Sequence, residues 1–156
     1  MNFEQFSLDP RIVAGIKGVG YTTPTPIQQQ AIPVVLQGRD VLGTAQTGTG
    51  KTAAFMLPIL QKLLKGPQRR VRALIVAPTR ELAEQIHTMS VGLARHTKVR
   101  SMTVYGGVSK PRQVEALRRG AEIVVACPGR LLDIMGDRSI DLSHVEVLVL
   151  DEADRM

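Results

Sequence analysis

Residues 45–52 read Ala-Gln-Thr-Gly-Thr-Gly-Lys-Thr, and no other stretch restricts the fold of this chain as strongly. Glycines at 48 and 50 let the main chain close around an anion, because no Cβ obstructs its approach. The helix that such a loop opens then offers its unpaired N–H groups to the same anion. A loop of this kind works between a strand and a helix. Asp40-Val41-Leu42-Gly43 supplies a short apolar approach, and Thr52 to Leu64 has enough helix formers to continue, with a kink expected at Pro58. A nucleoside triphosphate, ATP or GTP, is the occupant this chemistry suits. Lys51 reaches the β- and γ-phosphates, and the Thr52 hydroxyl ligates Mg²⁺. Ala45 stands where the consensus has glycine, and Gln46, Thr47 and Thr49 complete the cradle. The competing reading is a Gly/Thr turn that happens to contain a lysine.

A second feature answers the first. Val145 to Leu150 is an apolar run that ends in Asp151-Glu152. Such a run reads as a parallel strand covered on both faces. An aspartate at its end holds Mg²⁺, usually through water, and the next acid orients or deprotonates an attacking water. Alone, the run would read equally as a buried strand entering a solvated acidic turn. Lys51, Asp151 and Glu152 are therefore the candidate catalytic residues, and Thr52 and Asp151 the candidate metal ligands.

With 156 residues the chain is long enough for one domain with a core of its own. That core must be aliphatic, since there are three Phe, two Tyr and no Trp. No run of about 18 apolar residues is present to span a membrane. The opening Met-Asn-Phe-Glu-Gln-Phe does not read as a signal peptide. A single cysteine, Cys127, excludes an internal disulfide and suits a cytoplasmic protein. His87, His96 and His144 lack metal-ligand spacing. The net charge of +6 favours a polyanionic partner, although charge runs such as Arg69-Arg70-Val71-Arg72 also occur simply as solvated helix ends.

Helical and apolar β-branched stretches alternate, which predicts an α/β fold with a parallel sheet. Helices are expected from Pro10 with Asp9 as cap, from Pro26 to about Gln37, from Arg80 to about Ala94, from about Ser109 to Arg119, and near Arg130 to Met135. Strands are expected at Ala73–Ala77, Met102–Tyr105 and Ile123–Ala126, besides the acidic one. The sequence stops at Met156, two residues after Asp154, so the sheet is expected to be incomplete at its C-terminal end.

Several phrases now fall in order: Gly-Tyr-Thr-Thr-Pro-Thr-Pro-Ile-Gln at 20–28, the cradle, Pro-Thr-Arg-Glu-Leu-Ala at 78–83, Tyr105-Gly106-Gly107, Pro128-Gly129-Arg130, and Asp-Glu-Ala-Asp at 151–154. Across essentially its whole length the chain resembles the first RecA-like domain of the DEAD-box ATP-dependent RNA helicases. The resemblance implies a RecA-like P-loop fold over residues 1–156, mostly parallel with helices on both faces, and a Q motif within residues 1–29. By the same resemblance Gln28 reads adenine, while Phe3 stacks on the base and Tyr21 lies beside it. An amide offers one donor and one acceptor, which adenine matches and guanine does not. Yet Thr25-x-x-Gln28 also reads as a capping box, and Phe3 also reads as a core anchor.

The resemblance further places Pro78, Thr79, Arg80, Gly106, Gly107, Pro128, Gly129 and Arg130 on an RNA-facing edge. These follow predicted strands, and open α/β sheets bind ligands at the carboxyl ends of their strands. Glycines admit the RNA backbone and arginines pair with its phosphates, so binding would be independent of base sequence. Gly106-Gly107 reads equally as a plain turn. The family usually has threonine where this chain has Cys127, a weaker donor. In the family a second RecA-like domain supplies arginines worth about 10³–10⁵ in rate. The chain alone is therefore expected to be nearly inactive as an ATPase and to fold only marginally, whereas its parent is an RNA-dependent ATPase and unwinder. The alternatives are a DNA helicase or other P-loop ATPase, and a non-enzymatic module that binds ATP and RNA.

Overall fold

The computed structural model describes residues 2–43 and 50–156. The chain divides into two compact units, Met1–Lys65 with Met89–Lys98, and Gly66–Thr88 with Val99–Met156.

The first unit is helical. A 3-10 turn at Phe3–Phe6 precedes α1 (Pro10–Gly18), α2 (Pro26–Leu36) and α3 (Lys51–Leu63). The Asp9 carboxylate caps α1 by accepting the Arg11 N–H at 2.9 Å, and Pro10 occupies the first helical position, where its missing N–H costs nothing. Thr25 and Gln28 form a full capping box at the start of α2. Both α2 and α3 continue through an internal proline, Pro33 and Pro58 respectively. In α3 the reason is burial: Met56, Leu57, Ile59 and Leu60 are almost wholly removed from water. Each such side chain contributes about 1.5–3 kcal/mol, enough to outweigh one lost backbone hydrogen bond. Gly15 of α1 has no room for a Cβ, which would lie 2.1 Å from the Leu93 carbonyl oxygen.

The expected strand before the cradle does not form. Residues 39–43 are irregular, Leu42 is 96% exposed and Val41 44%. Two apolar side chains in a four-residue stretch do not create a strand unless a sheet edge pairs with it.

The second unit holds the sheet, β1 (Ala73–Val76), β2 (Ser101–Val104), β3 (Ile123–Ala126) and β4 (Val147–Leu150), ordered β2-β3-β1-β4 and parallel throughout. Leu74, Val76, Val104, Val124 and Ala126 form a core on one face with Leu131 and Ile134 of α6 (Pro128–Gly136), and Leu117 of α5 (Lys110–Arg119) packs against it. The opposite face meets the first turns of α4 (Arg80–Leu93), whose Glu84 and His87 hydrogen-bond Tyr105 and Ser101. Helices on both faces of a parallel sheet are the expected α/β layering. Glu122, 2% exposed, draws the strand starts together by accepting the N–H groups of Arg69 at 2.6 Å and Arg100 at 2.7 Å.

Two expectations need correction here. α6 begins at Pro128, not Arg130, because proline suits the first helical position. β4 is not covered on both faces: among the described residues it pairs only with β1, and Leu148 and Leu150 are 58% and 56% exposed. Leu148 and Leu150 alternate with half-buried Val147 and Val149, so it is one face of the strand that stands open.

Candidate functional site

In the first unit Gly50 adopts a left-handed conformation (φ +83°) and caps α3, so Lys51 and Thr52 fall in that helix's first turn. The first-turn N–H groups of a helix have no partner within it, and an anion satisfies them. Ala45, Gln46, Thr47, Gly48 and Thr49 lie outside the described residues.

Gln28 is held from both ends of its amide. Its oxygen accepts the Thr25 N–H at 2.9 Å, and its nitrogen donates to the Gly50 carbonyl at 3.0 Å. The side chain is 1% exposed. The two readings of Gln28 therefore meet in one amide, which caps α2 and also ties that helix to the last glycine of the cradle. A Cβ on Gly50 would come within 2.4 Å of the Gln28 amide nitrogen, so this contact needs glycine for space as well as for φ. Phe3 is 4% exposed and lies nearly parallel to Tyr21, with ring centroids 6.4 Å apart and planes at 13°. Its edge meets Phe6 at 6.1 Å. As it stands, Phe3 is a core residue that presents an aromatic stack together with Tyr21.

In the second unit, parallel pairing puts all four strand ends on one edge. Pro78-Thr79-Arg80 follows β1, Gly106-Gly107 follows β2, Pro128-Gly129-Arg130 follows β3, and Asp151-Glu152 follows β4. Thr79 caps α4, its hydroxyl accepting the Leu82 N–H at 3.1 Å. Arg80 lies 5.3 Å over the Tyr105 ring, a cation–π contact, while the Tyr105 hydroxyl donates to Glu84 at 2.7 Å. That bond to a carboxylate raises the phenol's pKa. Gly107 has φ +83°, and a Cβ there would stand 3.0 Å from the Arg80 guanidinium. Nothing lies within 4 Å of where a Cβ on Gly106 or Gly129 would be, so both backbones are open to a ligand.

Arg130 behaves differently from its expected part. Its guanidinium donates to the Val108 carbonyl at 3.2 Å and to Gln113 at 3.1 Å, and its side chain is only 14% exposed. Gln113 in turn donates to the Tyr105 carbonyl at 2.9 Å. Arg130 and Gln113 thus brace the glycine loop from beneath. No sequence signal pointed to Gln113, since a glutamine in a charged helix announces nothing about burial.

Cys127 sits at the cap of α6 without a side-chain cap bond. Burial, helped by Glu81, pushes its thiol pKa up. Asp151 is anchored at the strand end by its own N–H, which donates to the Val76 carbonyl at 2.9 Å, and it is 5% exposed. Glu152 follows in a left-handed conformation (φ +51°) and opens a 3-10 turn at Ala153–Arg155. A sharp turn here sends two successive acids in different directions.

A four-stranded parallel sheet with a glycine-opened helix and an acidic strand end is shared by many nucleotide-binding proteins. Comparison with known proteins decides among them. A family model described as DEAD/DEAH box helicase matches residues 25–156. The chain belongs to that family. It is 48% identical over 99% of its length to the ATP-dependent RNA helicase CshA of Listeria monocytogenes, of which it covers 29%. It is 47% identical over its full length to the ATP-dependent RNA helicase DBP3 of Debaryomyces hansenii, again covering 29%. It is 45% identical over 99% of its length to the ATP-dependent RNA helicase SrmB of Haemophilus influenzae, covering 36%. The chain thus spans about a third or less of these DEAD-box relatives. Among the described residues no helix is long and apolar enough to cross a membrane.

Proposed function

We propose that this chain is the ATP- and RNA-binding part of a helicase whose whole protein couples ATP hydrolysis to RNA unwinding or remodelling. The observation that carries the reading is the shared carboxyl edge of the sheet, where the two open glycines, capped Thr79 and the Asp151-Glu152 pair stand at neighbouring strand ends. RNA phosphates would meet backbone N–H groups at Gly106, Gly107 and Gly129, and Thr79 at the start of α4. Arg80, resting on an aromatic ring, keeps its guanidinium for a phosphate. Arg130 braces the loop through one guanidinium nitrogen, and its remaining N–H groups would serve a phosphate.

For the nucleotide, Lys51 offsets the charge of the β- and γ-phosphates beside the N-terminus of α3, which has no side-chain cap. Adenine recognition by Gln28 requires its amide to exchange Thr25 and Gly50 for the base. Half-buried Tyr21 supplies aromatic surface, and Phe3 would have to leave its core position to stack on the base. Thr52 in the first unit and Asp151 in the second each carry an oxygen donor of the kind Mg²⁺ takes, and that ion fills its remaining positions with phosphate and water. No group of three or more His, Cys, Asp or Glu capable of holding a metal unaided occurs among the described residues, and that ion does not need one. When bound, Mg²⁺ would neutralise charge on the phosphates. Glu152 would orient and deprotonate the attacking water.

Titration with Mg-ATP and Mg-GTP, followed by binding and by thermal melting, tests this. ATP should bind in preference and raise the melting temperature, and Lys51→Ala should abolish both effects. Equal affinity for GTP, or binding indifferent to Lys51→Ala, would sink the reading. RNA binding that needs no nucleotide and survives Lys51→Ala would favour a non-enzymatic module instead.

A further inference from the structure

A groove of about 360 Å³ runs along the outer side of β2, from Ser101 to the loop after the strand, where Tyr105 and Val108 line it on either side of Gly106-Gly107. It is bounded by His87 of α4, by Ser109 at the cap of α5, and by Arg112 and Ala116 of that helix. Among the described residues β2 is the terminal strand of the sheet order. The carbonyls of Arg100 and Val104 are directed to β3, where they accept from Ile123 and Cys127. Backbone groups alternate sides along a strand, so those of Ser101 and Thr103 point into the groove. The Tyr105 carbonyl confirms this phase, because it points outward and is taken by Gln113 of α5. Ser101 and Thr103 are only half-buried, and both line the groove.

We propose that this groove docks an extended acidic segment of a partner protein, which joins the sheet as a strand beside β2. Two N–H and two C=O groups alternating at strand spacing are complemented by another strand's backbone, which brings both donors and acceptors. An RNA backbone brings phosphate acceptors and 2′-hydroxyl donors, but not paired N–H and C=O groups repeating at strand spacing. The side chains choose the sign of charge. The Arg112 guanidinium makes no ion pair among the described residues, and no acid lines the groove. The nearby acid of α4, Glu84, is occupied by the Tyr105 hydroxyl. His87, whose ring nitrogen shares a hydrogen bond with the Ser101 hydroxyl at 3.0 Å, has its pKa lowered by burial. A glutamate or aspartate in the incoming segment pairs with Arg112 in a charge-assisted hydrogen bond.

The test uses the whole chain and a fluorescein-labelled octapeptide of alternating valine and glutamate, with a valine–lysine octapeptide as control. The glutamate peptide should bind, the lysine peptide should not, and hydrogen exchange at the Ser101 and Thr103 amides should slow on binding. Arg112→Glu, a change at an exposed helix position, should weaken binding about tenfold or more. Thr103→Pro removes an outward N–H that the sheet does not use, and should abolish the protection. Binding indifferent to Arg112→Glu, or amides of Ser101 and Thr103 that exchange unchanged, overturns the proposal. Displacement of the peptide by oligouridine without amide protection makes the groove an RNA surface, which overturns it equally. ATP binding is measured separately and does not depend on the outcome.

Discussion

At the scale of single residues, Gln28 shows how little freedom an apparently simple amide has. It donates to Gly50 and accepts from Thr25 while excluded from water. Gln28→Glu keeps the acceptor for Thr25 but sets a carboxylate oxygen against the Gly50 carbonyl. Gln28→Ala removes both bonds without adding a charge. We expect the glutamate variant to lose more stability, about 1–3 kcal/mol, in urea unfolding. Equal losses would mean that the Gly50 contact is incidental. Cys127 makes the opposite case. It occupies a helix cap without capping, and its thiol is a weak donor and acceptor. Cys127→Thr should stabilise the chain by about 1 kcal/mol, read as a raised unfolding midpoint. No gain would show that burial at this position, not capping, sets the preference.

At the scale of elements, helix contacts and strand edges respond to different substitutions. Gly15 of α1 touches the Leu93 backbone directly, and any side chain must push the two apart. Gly15→Ala should therefore cost about 1–3 kcal/mol even though alanine is the better helix former. A neutral result in thermal unfolding would mean that α1 can move aside freely. β4 tolerates more. Leu148 stands 58% exposed on an edge strand, so Leu148→Lys should leave the melting temperature nearly unchanged and suppress self-association, as seen by light scattering. A large fall in melting temperature would show that this face is packed in solution. The sequence reading placed most elements correctly because caps and prolines sit where backbone geometry demands them. Asp9-Pro10, Thr25-Pro26 and Ser109 announce α1, α2 and α5 directly. The stretch at 40–43 forms no strand, because apolar character makes one only where a neighbour supplies its hydrogen bonds.

At the scale of the whole molecule, the chain covers 29% of its CshA relative from Listeria monocytogenes. Under the proposed function, arginines outside this chain complete the phosphoryl-transfer site and are worth about 10³–10⁵ in rate. The chain should therefore bind Mg-ATP yet hydrolyse it at least about a thousandfold more slowly than a full-length relative, with or without RNA. Turnover at a comparable rate in a phosphate-release assay would refute the division of labour.

The sequence by itself determined the family, the parallel α/β plan and the order of the phrases at the strand ends. Those properties are local: a glycine needs φ above zero or close approach, a cap needs its hydroxyl, and an apolar run needs cover. Only the tertiary structure decided what each polar side chain does with its hydrogen bonds. Arg130 and Arg80 look alike in sequence, yet one braces Gln113 and Val108 while the other rests on Tyr105. Likewise, nothing in Ser101-Met102-Thr103 announces a sheet edge, because edge position belongs to the strand order and not to the strand. Hydrogen-bond partners and strand neighbours come from residues distant in the chain, and a local pattern carries no record of them.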